Sequence, residues 1–134
     1  MASPSKRVVL VGHCSADTSY LRTALARADR GAQVQSAEDQ PGLERLLSQG
    51  VDLVLVNRLL QWGFDQPSGV ELIRQMKQSY PLARLMLISN YPEAQAAAEA
   101  AGAVKGIGKS QLGSEQAVQV LRLALSGRAA DEPA

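Results

Sequence analysis

The sequence has a single cysteine, Cys14, so no disulfide can form within the chain. Aromatic residues make up only 4% of the chain, and no run of basic residues accompanies them. Nucleic-acid binding usually needs clustered basic charge with aromatic rings, so we expect none from this domain. No apolar run approaches the roughly 20 residues that cross a membrane, and the polar start MASPSKR is unlike a signal peptide. We therefore expect a cytoplasmic protein that makes no membrane contact.

Length and composition favour one globular domain. The chain has 134 residues, 46% of them apolar, and a net charge of +1. This is close to the usual size of one domain and enough for a single core. We place the domain at 6–126 and expect flexible termini at 1–5 and 127–134.

Five short apolar runs alternate with segments of helical pattern. The runs lie at 7–12, 32–37, 52–57, 84–89 and 103–107. The predicted helices lie at 16–29, 41–49, 69–79, 92–101 and 115–126. Three runs are almost continuous Val, Leu, Ile or Met, which is typical of parallel strands buried on both faces. The run at 32–37 alternates and is more polar, so we place it at a sheet edge. The order predicts an α/β fold with a doubly wound, five-stranded parallel sheet.

The residues that follow the strands are the first candidates for a functional site. They lie at 12–14, 57–58, 89–90 and 108–109, and the carboxyl ends of parallel strands meet at one edge of a sheet. His13 and Cys14 are neighbours but lack the further His or Cys residues that a zinc site needs. We therefore expect no metal and no cofactor.

Four segments of the chain resemble the receiver domains of bacterial response regulators, the CheY-like family. They are RVVLVGHCSADTSYLRTAL, GVDLVLVNRLL, SGVELIRQMKQSYPLARLMLIS and AAGAVKGIGKS, and the resemblance covers roughly residues 6–126. The third segment is the most specific, because it holds the family's Gly-x-Glu-Leu helix, the proline before the fourth strand and the Ser/Thr at that strand's end. The resemblance implies a flavodoxin-like (βα)5 fold and a role in two-component phosphorelay signal transduction.

The family's phosphoryl-transfer site is only half present in this chain. Ser89 takes the place of the family's hydroxyl residue and Lys109 that of its lysine, but Asn57 replaces the aspartate nucleophile. Gly12 and His13 stand where the resemblance implies an acidic pair that helps to hold Mg²⁺. Acyl phosphates form on carboxylates, and Mg²⁺ prefers anionic oxygen ligands. We therefore expect a degenerate phospho-site in a pseudo-receiver that is not an enzyme.

Three further expectations concern the neighbourhood of this degenerate site. We expect Lys109 to donate a hydrogen bond to the side-chain oxygen of Asn57. Ser110 replaces the proline that usually follows the family's lysine. Gly106 lies where the family's switching aromatic residue usually is, and we expect Tyr91 to occupy the space that it leaves.

The connection at 58–68 is about four residues longer than the family's usual loop, though still of ordinary loop length. It contains Trp62 and Phe64, two of the few aromatic residues. These rings either fold back over the sheet edge and fill it or, with Tyr91, bind a partner. Asp65 is a candidate displaced carboxylate that reaches toward the site.

The function that we expect is a phosphorylation-independent protein-interaction module. Its partner is a histidine kinase, an output domain or a second copy of the chain, with a homodimer through the face of the fourth helix, fifth strand and fifth helix. Two alternatives stay open. The emptied rim between Gly12, Asn57, Ser89 and Lys109 could sense a small anion or another ligand. Phosphotransfer could also persist through an unusual acceptor, and the candidates are Ser89, His13 and Asp65.

Overall fold

The computed structural model describes residues 5–60 and 62–126. Its strands are β1 (Arg7–Val11), β2 (Gln33–Ala37), β3 (Leu53–Asn57), β4 (Leu85–Ile88) and β5 (Val104–Ile107). Its helices are α1 (Ser15–Ala28), α2 (Gln40–Gln49), α3 (Gly69–Ser79), α4 (Pro92–Ala100) and α5 (Glu115–Leu125). A short 3₁₀ turn, Lys109–Gln111, precedes α5. The termini predicted to be flexible lie outside the described residues, apart from Ser5.

All ten predicted elements are confirmed, each within about one residue of its expected bounds. The strands form one parallel sheet in the order β2-β1-β3-β4-β5. The edge position of β2 is also confirmed, and most of its side chains are exposed. This is the doubly wound, flavodoxin-like α/β fold. Among the described residues, none of the helices has both the length and the apolar character to cross a membrane.

Each face of the sheet packs on its own set of helices. Leu21 of α1 and Leu121 of α5 belong to the core on one face. Leu43 of α2 and Ile73 and Met76 of α3 belong to the core on the other. Successive strand side chains point to opposite faces, so the continuous apolar runs fill both cores and the central strands are buried throughout.

Short polar side chains cap four of the helices, and before α5 the Ser114 hydroxyl accepts from the Ala117 amide at 3.2 Å. The Cys14 thiol accepts from the Asp17 amide at 3.4 Å before α1, and Asp39 accepts from the Gly42 amide at 2.8 Å before α2. Before α3, the Ser68 hydroxyl accepts from the Glu71 amide at 3.5 Å. Each cap satisfies a backbone donor that the first turn leaves free.

The strand register brings the predicted functional residues to one edge. Val11 pairs with Val56, and Asn57 pairs with Ile88. Ile88 in turn pairs with Ile107. The residues that follow these strands therefore share the carboxyl edge of the sheet, as the sequence predicts.

Candidate functional site at the carboxyl edge of the sheet

Asn57 ends β3, and its side chain is held by the loop that follows. Its Nδ2 donates to the Leu59 carbonyl at 2.9 Å, while its Oδ1 is buried without a hydrogen-bond partner among the described residues. The backbone at Asn57 also meets the start of α3, because a Cβ at Gly69 would lie 2.1 Å from the Asn57 carbonyl oxygen. Only glycine allows this approach. The edge thus presents a neutral side-chain amide that is held by the backbone carbonyl of Leu59.

Gly12 cannot be replaced by an acidic residue without rearrangement. Its φ of +79° lies in the left-handed region that favours glycine. A Cβ at this position would lie 2.7 Å from Cδ2 of Leu60, which is itself buried. Leu60 therefore occupies the space that a side chain at position 12 would enter, and the sequence interpretation had not identified this residue.

His13 points into the protein rather than toward a ligand. Its Nε2 lies 2.8 Å from the Leu55 carbonyl, and its Nδ1 is buried without a hydrogen-bond partner among the described residues. Burial lowers the pKa of His13 below its ordinary value near 6.5, with the positive charge of Lys109 acting in the same direction. The Leu55 carbonyl and Asp17 oppose that shift. The neutral ring donates from Nε2 to Leu55 and serves as a structural group.

Lys109 forms an ion pair with Asp17. The prediction that Lys109 donates a hydrogen bond to the Asn57 side-chain oxygen is therefore wrong. Its Nζ lies 3.3 Å from Asp17 Oδ2, and the two side chains are partly buried. The physical reason is charge, because a carboxylate attracts an ammonium group more strongly than a neutral amide does. Asp17 lies in the first turn of α1, three residues after the Cys14 cap. The role of Asp17 was not predicted from the sequence, although its position in the first helical turn after the first strand can be read there.

Ser89 is buried, and its side chain is hydrogen-bonded to the backbone. Its hydroxyl oxygen accepts from the Tyr91 amide at 3.1 Å, and its own amide donates to the Ile107 carbonyl at 3.0 Å. The neighbouring Asn90 Oδ1 accepts from both the amide and the hydroxyl of Ser110, at 3.0 and 3.2 Å. A proline at 110 has no amide hydrogen, so the serine found in this chain makes a bond that the family's usual residue cannot.

Gln95 fills the space beside Gly106, which we expected Tyr91 to occupy, so that expectation is wrong. A Cβ at Gly106 would lie 2.2 Å from Gln95 Oε1. The Gln95 amide donates to the carbonyls of Leu87 and Ser89 at 3.0 Å and of Ile107 at 3.3 Å. A buried amide with carbonyl acceptors is more favourable there than an aromatic ring, because those carbonyls need donors.

Tyr91 lies on the surface instead. It is 51% exposed, and the Arg58 guanidinium carbon is 4.3 Å from the centroid of its ring. This geometry is a cation–π contact. Tyr91 is therefore accessible to a partner.

The long connection at 58–68 is anchored at both sides. Leu59 and Ser68 form an antiparallel bridge, and the Leu60 amide donates to the Pro67 carbonyl at 2.9 Å. The Gln40 amide of α2 donates to the Gly63 carbonyl at 2.6 Å. The connection is thus a small hairpin braced against α2, and it carries Leu60 onto the sheet edge.

The two aromatic residues of this connection behave differently. Phe64 is partly buried against the core between the sheet and α2–α3, whereas Trp62 is 96% exposed. Of the two alternatives for these rings, folding back over the sheet edge is therefore wrong for Trp62. Asp65 does not reach the site either, since its carboxylate accepts from Gln75 at 3.2 Å.

The residues at this edge do not fit the Mg²⁺ ion that the receiver resemblance implies. That ion needs several hard, mostly anionic oxygen ligands, whereas Gly12 offers none and its side-chain space holds Leu60. His13 is bonded to Leu55, and the Asp17 carboxylate is bonded to Lys109. In residues 5–60 and 62–126, no three His, Cys, Asp or Glu side chains are grouped as a metal site would need.

Comparisons with known proteins give a clear structural answer. Neither a protein-family model nor a curated protein sequence matches the chain. Solved structures do match, including a LuxR-family two-component response regulator from Aurantimonas sp. SI85-9A1, which is 26% identical with a TM-score of 0.73. That match covers 94% of this chain and 89% of the other.

Two further matches agree with it. The response regulator RcsB of Salmonella typhimurium has a TM-score of 0.75 at 16% identity over 93% of this chain, which spans only 62% of the RcsB chain. The beryllofluoride-activated NtrC4 receiver domain dimer has a TM-score of 0.69 at 18% identity, covering 90% of this chain and 96% of that one. The chain therefore has the fold of the receiver domains that occur in two-component response regulators.

Proposed function

We propose that this domain is a pseudo-receiver, a protein-interaction module whose state does not depend on phosphoryl transfer. The observation that carries the proposal is the pairing of Lys109 with Asp17 beside an amide at Asn57. A receiver lysine that contacts a phosphoryl group must be available to it, and here a carboxylate of the same chain neutralises it. We expect no catalysis from the domain.

The local contacts support a single fixed arrangement of the edge. Asn57, unlike an aspartate, brings no negative charge that a metal ion would have to neutralise. Leu60 closes the position of the missing acidic pair, and Ser89 holds the Tyr91 amide in place of a ligand. The alternative of ligand sensing at the emptied rim is not favoured, because Ser89 and Lys109, the side chains that would hold an anion, are already bonded within the chain.

The proposed partner surface is the face of α4, β5 and α5. It carries exposed small side chains from α4 and the half-exposed Leu123 of α5. Small side chains allow a partner to approach closely. We propose that a histidine kinase, an output domain or a second copy binds there, in the cytoplasm, and that this domain itself contacts neither nucleic acid nor membrane. The NtrC4 receiver domain is described as a dimer, which supports association as a role for this fold.

Intact-mass spectrometry after incubation with acetyl phosphate and Mg²⁺ tests the proposal. We expect no phosphate adduct on the wild type, and none on Asn57→Asp, because Gly12 and Leu60 still leave no place for the acidic pair. A receiver domain with an intact aspartate serves as the positive control for the reagent.

One outcome would contradict the proposal directly. It is a single-phosphate adduct on the wild type that is lost when an unusual acceptor is replaced. The relevant variants are Ser89→Ala, His13→Gln and Asp65→Asn.

A further inference from the structure

Trp62 is the most conspicuous feature that the proposed function leaves unused. It is the only tryptophan in the chain, and it is 96% exposed. The backbone that carries it is braced by the Leu59–Ser68 bridge and by the bond from Gln40 to Gly63. A fixed backbone reduces the entropy lost when the ring is buried in an interface, and tryptophan is among the residues that most often dominate interface energies.

A groove opens directly beside Trp62. Its volume is about 540 Å³, and it runs between α1, the end of β2 and the connection at 58–68. Most of its lining is polar, with hydroxyl groups from Ser15, Thr18, Ser19 and Ser36, while Phe64 supplies apolar surface. The groove also borders Gly12 and His13 of the carboxyl edge. Trp62 itself lines the same groove. The groove is within the size range of clefts that hold drug-sized ligands, so it has room for an indole ring.

The charges of this groove complement one another. Arg22 of α1 and Glu38, which follows β2, both line it. Among the described residues, Arg22 makes one hydrogen bond, to the Val34 carbonyl at 3.3 Å, so its other donors are available for a further contact there. In a two-fold pair each residue of the patch meets the same patch of the other copy. The arginine of one copy can then face the glutamate of the other, twice. The net charge of +1 adds little long-range repulsion between copies.

We propose that two copies of this chain associate through this groove, each placing Trp62 over the groove of the other, with Arg22 of one copy facing Glu38 of the second. This surface lies at the β2 edge of the sheet, whereas the α4–β5–α5 face lies at the β5 edge. The inference is independent of phosphorylation, and the association can be measured without acetyl phosphate.

Sedimentation velocity and tryptophan emission, each measured over a range of protein concentration, test this inference together. We expect the mass to rise from one chain toward two, and the emission of Trp62 to move to shorter wavelength over the same range as water leaves the ring. Trp62→Ala should raise the dissociation constant at least about tenfold. Leu123→Ala removes a half-exposed apolar side chain from the α4–β5–α5 face and should leave the constant unchanged.

Charge reversal gives a second, independent test. Arg22→Glu and Glu38→Arg should each weaken the dimer, because like charges then face one another, and the double variant should restore it. Circular dichroism verifies that every variant is folded. A chain that stays monomeric, a dimer weakened by Leu123→Ala but not by Trp62→Ala, an emission maximum that does not move, or a double variant no better than its parents would each overturn the inference.

Discussion

At the scale of single residues, the character of this edge depends on Gly12, Leu60 and the pair of Asp17 and Lys109. Leu60 occupies the space beside Gly12, and Asp17 forms an ion pair with Lys109. Asn57 brings no charge to this edge, and its neighbours offer no free carboxylate. A carboxylate introduced at 57 alone would enter surroundings that do not suit it.

Gly12→Ala should destabilise the protein. The left-handed backbone at position 12 disfavours a side chain, and the new Cβ would press on buried Leu60. We expect the free energy of unfolding to fall by about 1–3 kcal/mol, measured by urea denaturation. Gly31→Ala is the matched control, because a Cβ at Gly31 has no neighbour closer than 3.7 Å. An equal loss at both positions would contradict this account.

His13, the only histidine of the chain, should make stability depend on pH. Burial places its pKa in the folded state below the ordinary value near 6.5, so the unfolded chain binds more protons between these two values. Stability is then complete above about pH 6.5 and falls as the pH drops toward the lowered pKa.

Urea denaturation at about pH 7.5 and 5.5, on either side of the ordinary histidine pKa, measures this dependence. The midpoint of the wild type should be lower at the acidic pH. His13→Gln keeps a donor near Leu55 but does not titrate, so its midpoint should change less. A wild type and a variant with the same pH dependence would show that other groups are responsible.

At the scale of elements, the attachment of β5 depends on a side chain as well as on strand pairing. The register of β4 and β5 shifts between Met86 and Ile88. Gln95 of α4 reaches this place and donates to carbonyls of both strands, those of Leu87 and Ile107. Gly106 leaves the room that the Gln95 side chain needs. The Gln95 side-chain amide therefore links helix α4 to both β4 and β5.

Gln95→Ala should loosen this edge. Removing the amide takes a donor from the carbonyls of Leu87 and Ser89, whereas the Ile107 carbonyl keeps the Ser89 amide. We expect a loss of about 1–3 kcal/mol in the free energy of unfolding. Gln119→Ala, on the exposed side of α5, provides the matched control and should have little effect. Hydrogen exchange of the β5 amides should also become faster in Gln95→Ala alone. Unchanged exchange there would mean that strand pairing is sufficient.

At the scale of the whole molecule, the fold is supported by two apolar cores rather than by the edge chemistry. Both cores are built mainly from strand side chains and helix faces, and of the residues that define the carboxyl edge only Leu60 belongs to one of them. The same fold occurs in solved proteins that share only 16–26% of their residues with this chain. The architecture therefore does not require acidic residues at 12, 13 and 57, because most of the apolar burial that supports it lies away from the carboxyl edge.

The sequence by itself determined the element order, the parallel sheet, the edge position of β2 and the absence of acidic residues at 12, 13 and 57. These follow from local patterns, namely continuous apolar runs, helix caps and residue types at strand ends. Only the tertiary structure decided that Lys109 pairs with Asp17, that Gln95 rather than Tyr91 fills the space at Gly106, and that Trp62 stays exposed. Each of these depends on distances between residues far apart in the chain, which local sequence patterns do not specify.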